Sequence, residues 1–596
     1  MTDPKLYKIS DKKGNKNLSH TRNLDENITG TAPYNFIPLN STALMYDSED
    51  PNLINHEKYF NSRRSGYLEC TLESLSNIFI GSPNDKNSTE FFMPAGKPLI
   101  PGSSIRGMLR NMVNIISYGK FETDGLHNHL YSRPFAGNDR RLRNWYDEKM
   151  TNTIPNGYES RKDYKALAGY LTKGKNRKWY IQPAQNSNNS QFTKISSEDV
   201  SRELKEYRLK PYSYYKWTNG GMVIVTNKTM QKGKNHDWLV HSPDFSKSPI
   251  SVPEQVIDDY RLDTQLSNPS RRIKINILKS YEADKSSNFK DGIPVFYTLD
   301  NSNKDISAFG HGPMFRQAYD KNISDHLQNK HKTTKHTDMA ERLFGNINLT
   351  DNNSPGSFAG SINVEDARLI GDPKWGEQKS IYLSGPKPTH YTNYLVQDVG
   401  KPNQLKNWND DTLIRGFKMY WHQQNITENQ ENQFADSILP LSKGNKFSFK
   451  IYFDNITSYE LGALLTAVNL KEGLAHKIGR GKSIGLGSVK IIPKLYLIDS
   501  KSWYNKIFHT LDWKLGYNRT AKFQIFMDNF QNFIVNNVDE LENDRKSSSF
   551  WDLYRMRQLS NMLDINKGMD HEKSGKLAVH DFKNKNKKIL PIPEDV

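Results

Sequence analysis

Between Gly479 and Gly487 the chain reads GRGKSIGLG: Gly479, Gly481, Gly485 and Gly487, with Arg480, Lys482 and Ser483 among them. Glycines let backbone N–H groups approach phosphate oxygens, and the two cations neutralise the charge. This is not a Walker loop, which needs a glycine where His476 stands. Nor is it G-x-G-x-x-G, since position 484 is Ile. The competing reading is a plain glycine-rich turn. A second stretch, PGSSIRGMLR (Pro101 to Arg110), opens a helix. A helix start presents N–H groups and partial positive charge, so Ser103, Ser104, Arg106 and Arg110 suit a phosphate. An ordinary N-cap by either serine competes with that. His326, His331 and His336 recur every five residues and share no helical face, and no cysteine or close acidic pair completes a set, so no metal site is expected. His127 and His129 alternate on an extended segment, which leaves His-based, metal-independent chemistry open.

These residues need elements to hold them. Tyr67 to Ile80 (YLECTLESLSNIFI) sets Leu68, Cys70 and Leu72 on one face and Glu69, Thr71 and Glu73 on the other, the mark of a half-buried strand. Cys70 reads as a core residue. The helix runs to about Tyr118, with Ile105, Met108, Leu109, Met112, Val113 and Ile116 in one stripe. Gly107 is a poor helix residue, and a close backbone approach is one reason to tolerate it. Phe447 to Phe453 alternates as a strand; Thr457 and Glu460 form a capping box for a helix that buries Leu461, Leu464, Leu465 and Val468. The glycine loop then feeds a strand, Ser488 to Ile492.

This order suggests an α+β chain: a ferredoxin-like core with a large β-rich insertion and a helical C-terminal region. The expected division is 1–30, a flexible basic arm; 31–124, the first part of the core; 125–354, an insertion or second β-rich unit; 355–495, the second part of the core with the glycine loop; and 496–596, a helical region with a basic tail. Trp179, Tyr180 and Trp217 in the insertion, and Trp421, are expected to be packed more than stacked on bases.

The 596 residues carry 83 Lys and Arg against 66 Asp and Glu, a net charge of +17. A protein this basic suits a polyanion, and nucleic acid comes first. One cysteine excludes a disulfide scaffold and a Cys-rich zinc module and fits a reducing compartment. No apolar run is long enough to span a membrane, and the N-terminus lacks an apolar signal core. A cytoplasmic location is expected.

IPGSSIRGMLR (100–110) and GRGKSIGLGSVKI (479–491) resemble the two signatures of the RAMP superfamily of CRISPR-associated proteins. They look most like backbone-type subunits of type III effector complexes. DMAERLFG (338–345), FAGSINVEDARLI (358–370) and ELGALLTAVNL (460–470) are similar to further family segments. PYNFIPL, FGHGPMFRQAYD and GFKMYWHQ look like a long-form subgroup.

The resemblance implies a subunit with an RRM-like RAMP core that binds guide RNA by its sugar-phosphate backbone, leaves the bases free for a complementary target RNA, and assembles with other subunits of a type III CRISPR ribonucleoprotein. In some members an acidic residue between the first strand and first helix supports target cleavage. Here that loop is Gly81 to Pro98, with Asp85 as first choice and Glu90 as second. Cleavage would involve a divalent cation such as magnesium; otherwise no cofactor is implied. The alternative is a guide-RNA-processing endoribonuclease of the same superfamily.

Overall fold

Three long strands and two helices make the centre of the computed structural model. It describes the chain apart from residues 1–5, 11–19, 23, 25, 27, 40–41, 48–49, 51–52, 54–58, 61, 83–89, 122–125, 135–138, 157–158, 205–212, 226–235, 268–275, 287, 301, 303, 333–335, 348–356, 384–389, 399–403, 425–434, 499–516, 520–521, 539–548 and 576–587.

Strand β1 (Arg64–Ser74) is followed by helix α1 (Gly102–Ile116). Far along the chain come β2 (Ile362–Val364) and β3 (Ala367–Leu369), then β4 (Lys446–Ile456), α2 (Ser458–Val468) and β5 (Ser488–Ile498). β1 lies between β4 and β5, antiparallel to both, with Cys70 opposite Phe449 on one side and Pro493 on the other. β2 and β3 pair with the outer edge of β4, and Leu99–Ile100 extends the sheet beyond β3. Taken as fourth, first, third and second strands across the sheet, this is the ferredoxin-like order.

The period-two pattern explains why the sheet has one dry face. Leu68, Cys70 and Leu72 point inward with Phe447, Phe449, Ile451, Val489 and Ile491, and the stripes of α1 and α2 close over them in one core. Burial, then the nearby charge of Glu69, pushes the Cys70 thiol well above its usual range, so it stays an apolar filler. Thr457 caps α2 in a capping box, its hydroxyl accepting from Glu460 N at 3.2 Å. α3 (Gln524–Asn537) lies so close on α2 that a Cβ at Gly462 would stand 2.1 Å from Phe526 O.

β1 ends at Ser74, six residues before the expected end, because 75–80 leaves the sheet to dock the glycine loop. Residues within 125–354 form a sheet of their own, with strands Ile250–Val252, Trp179–Pro183, Leu167–Lys173, Ile293–Leu299 and Ile306–Gly310 in that order, over a separate core. Trp179 and Trp421 are packed, as expected.

The N-terminal segment departs from the expected free arm. Leu6–Ser10 pairs with Thr42–Asp47, which satisfies an otherwise open strand edge, and Thr21 N donates to Gln397 O at 2.7 Å. At the other end Arg415 donates to Leu590 O and Pro591 O at 2.6 and 2.8 Å, pinning the last residues to the body. The lysine-rich residues 583–587 lie outside the described residues.

Candidate nucleic-acid interface

Helix α1 buries Ile105, Leu109, Met112, Val113 and Ile116 and leaves Ser103, Gly107 and Asn111 exposed. Neither serine caps it. Pro101 is the N-cap residue, and Asp366, in the turn between β2 and β3, accepts from Gly102 N at 2.7 Å through Oδ1. A carboxylate of the chain itself therefore stands at the first turn, where the sequence suggested a phosphate. Arg106 and Arg110, one turn apart, donate to Phe344 O and, at 3.0 Å, Gly345 O. Those carbonyls end the helix Met339–Phe344, so the two cations meet its electron-rich terminus. Both arginines are half-buried, and burial, then the charge of Arg110, lowers the pKa of Arg106. The same short helix is held at its start by Asp338 and by Glu341, whose carboxylate meets Lys120 Nζ at 2.9 Å. Gly107 differs: a Cβ there would meet nothing within 4 Å. No described part of the chain makes the close approach that its sequence suggested.

The glycine loop owes its glycines first to packing. Gly479, Gly481, Gly485 and Gly487 all have positive φ, and a Cβ at Gly487 would lie 1.9 Å from Ile478 O. Several amides are already used: Arg480 N donates to Phe79 O at 3.0 Å, Gly487 N to Asn77 O at 2.8 Å, and Leu486 N to Gly481 O at 3.1 Å. Arg480 also forms an ion pair with Asp436. The side chains of Lys482 and Ser483 are half-buried, and the Lys482 ammonium lies 5.9 Å from the Tyr420 ring centre. Burial lowers the pKa of Lys482. Behind the loop Lys477 Nζ donates to Lys482 O and Leu486 O at 3.1 and 3.2 Å. Burial first, then the charge of Lys482, brings its pKa down to about 7, against an opposing pull from Glu572. Lys477, Asp366 and Asp436 were not singled out from sequence; a lysine two residues before a glycine run was the one local signal.

The two phosphate-friendly elements are not side by side. The loop precedes β5 and α1 follows Leu99–Ile100, four strand spacings across the sheet, or about 19 Å. The acidic loop is closer to the glycine loop. It is rooted by the Gly81–Phe91 bridge, with Ser82 N donating to Glu90 O at 3.0 Å, directly after the Phe79 carbonyl that receives Arg480 N. Glu90 is exposed; Asp85 lies outside the described residues. Among the described residues no group of three His, Cys, Asp or Glu is placed to hold a metal ion.

Two of the histidines, His326 and His129, serve the framework. Buried His326 bridges Thr412 O and Trp408 O at 2.9 and 3.0 Å. His129 Nδ1 meets Asp259 Oδ2 at 3.0 Å, while His127 is exposed. Among the described residues no helix is long and apolar enough to cross a membrane.

The model of the RAMP superfamily matches residues 71–228 and 314–490, more than half of the chain. No curated protein matches. Of solved structures, a chain of a CRISPR RNA-guided surveillance complex, pre-nicking, is similar at 9% identity and a TM-score of 0.22, covering 79% of this chain and 89% of that one. A chain from a type III-B Cmr-beta complex bound to cognate target RNA is similar at 10% identity and a TM-score of 0.16, covering 72% and 98%.

Proposed function

This chain belongs to the RAMP superfamily, and from that premise we propose that it is the guide-RNA-binding subunit of a type III CRISPR ribonucleoprotein. It holds the guide by its sugar-phosphate backbone, leaves the bases to pair with target RNA, and packs against neighbouring subunits. The observation that carries this reading is Gly107. It is exposed, lies between Arg106 and Arg110 on a helix that would gain about 1 kcal/mol from alanine, and has open space above it. An RNA backbone passing over α1 accounts for the missing side chain. Ser103, Ser104 and the remaining guanidinium donors of Arg106 and Arg110 then serve its phosphates, each guanidinium having five N–H groups. Arg480, Lys482 and Ser483 of the glycine loop hold a further phosphate at the opposite edge, and the net charge of +17 supports a polyanionic partner.

The test is equilibrium binding of a labelled guide-length RNA to wild type, Lys482→Glu and Ser103→Asp at several salt concentrations. Both variants bind more weakly, with a shallower dependence on salt. Wild-type affinity in both would refute the assignment.

A second reading, cleavage of the paired target, rests on the rooting of the acidic loop beside the glycine loop. A carboxylate, Asp85 first and Glu90 next, takes the proton from the ribose 2′-hydroxyl as that oxygen attacks the adjacent phosphorus. The P–O5′ bond breaks, leaving a 2′,3′-cyclic phosphate and, after protonation, a 5′-hydroxyl. Asp85→Ala then stops cleavage of complementary RNA and leaves guide binding intact. Cleavage by Asp85→Ala at the wild-type rate removes Asp85 from this role.

A further inference from the structure

The dry face of the central sheet meets α1 and α2; its other face carries a row of three tyrosines. Tyr67 on β1 stands directly opposite Tyr452 on β4 and Tyr496 on β5. Tyr67 and Tyr496 stack with ring centres 4.7 Å apart at 13°, and Tyr452 leans on Tyr67 at 5.8 Å. The outer hydroxyls are held by carboxylates: Tyr452 donates to Glu365 at 3.0 Å and Tyr496 to Glu69 at 3.5 Å. Tyr452 is 37% exposed although aromatic, and Ile492, further along the same face of β5, is 48% exposed. Lysines frame it. Lys450 places its ammonium 4.9 Å from the Tyr67 ring centre, and Lys490 and Lys494 project from the same face of β5.

We propose that this open face is a stacking platform for the bases of single-stranded RNA. Every nucleobase has a π-face, so flat rings bind single strands with little sequence preference, and lysines beside them neutralise the phosphates between stacked bases. Rings fixed through their hydroxyls lose little further freedom on binding. A base docks on Tyr452 or takes the place of the Lys450 ammonium above Tyr67, releasing that cation to a phosphate. Seven residues of strand separate Tyr67 from the end of β1 at the glycine loop, or about 23 Å, and the platform lies on the face opposite α1. It is a surface distinct from the guide-backbone site and does not depend on it.

The experiment uses full-length protein and a labelled single-stranded RNA hexamer, with an abasic hexamer of equal charge as control. Wild type binds the hexamer at least tenfold more tightly than the abasic one. The Tyr67→Ala/Tyr452→Ala/Tyr496→Ala variant loses that difference, and the corresponding triple Phe variant keeps it, because rings and not hydroxyls do the stacking. Lys482→Glu keeps the difference even if it no longer holds a guide, which separates this proposal from the guide reading. If the alanine variant does not fold, ultraviolet cross-linking of wild type to the hexamer, read by peptide mass, places adducts on the peptides carrying Tyr67, Tyr452 or Tyr496. Equal affinity for hexamer and abasic control, a triple Phe variant as weak as the alanine one, or adducts only elsewhere would each overturn the platform. So would a face that serves copies of this chain instead, shown by self-association that the alanine variant abolishes while hexamer binding stays unchanged.

Discussion

Asp366 and Gly102 are joined by a 2.7 Å hydrogen bond that closes the N-terminus of α1 with a carboxylate from the distant β2–β3 turn. That carboxylate stabilises the helix and repels any phosphate arriving beside Ser103 and Ser104. Asp366→Ala therefore has opposite effects on two measurements. Thermal stability falls by about 1 kcal/mol, the usual worth of a cap. RNA affinity rises at low salt, and the rise fades as salt screens it. Thermal denaturation and a salt series of binding curves check both.

Gly107→Ala separates folding from binding in the reverse sense. A methyl group at this position meets nothing within 4 Å, so the helix gains about 1 kcal/mol. If an RNA backbone runs over it, binding weakens. Tm and Kd should rise together.

Lys477 ties stability to pH. Its pKa in the fold, about 7, lies below the ordinary lysine value, so the unfolded chain binds more protons between those two values. Stability from this group then rises with pH across that window, and its cost is full below pH 7. The titratable groups around it are Lys482, His476, His422 and Glu572. Burial takes the two histidines to about 4 and about 3, so they are neutral throughout the window. Lys477→Met should flatten the rise in denaturant stability between pH 7 and 9 by up to about 1.4 kcal/mol per pH unit.

The core of the fold was legible because its signals are local. The alternation around Cys70, the stripe from Ile105 to Ile116 and the Thr457–Glu460 capping box each need only a short window of sequence. The partners of the site residues were not legible, because they come from far along the chain. Asp366 is 264 positions from Gly102, and Phe344 O is 238 from Arg106. The arginines suited a phosphate because nothing near them in sequence shows that the carbonyls of 344 and 345 receive them. The glycine loop looked like a phosphate cradle; its close approach to Phe79 O and Ile478 O shows that much of its glycine content serves packing. The arm at 6–10 looked free because the strand that pairs with it, 42–47, gave no pairing signal.

Leu109→Asp tests the stripe. It places an unpaired charge in the core and should destabilise by several kcal/mol, seen as loss of the folded baseline in circular dichroism. Arg110→Ala, on the next residue, should cost only about 1 kcal/mol, through the lost bond to Gly345 O.

The central claim is that this chain holds a guide by its backbone, and the RNA bound to it in its own cell tests that most directly. Protein purified at moderate salt from the native host, with wild type and Lys482→Glu compared, should carry RNAs of a narrow length range that share a repeat-derived end and differ in the remainder. The variant should carry less of the same RNAs. Equal amounts of random degradation fragments on both proteins, or no RNA on either, would contradict the account.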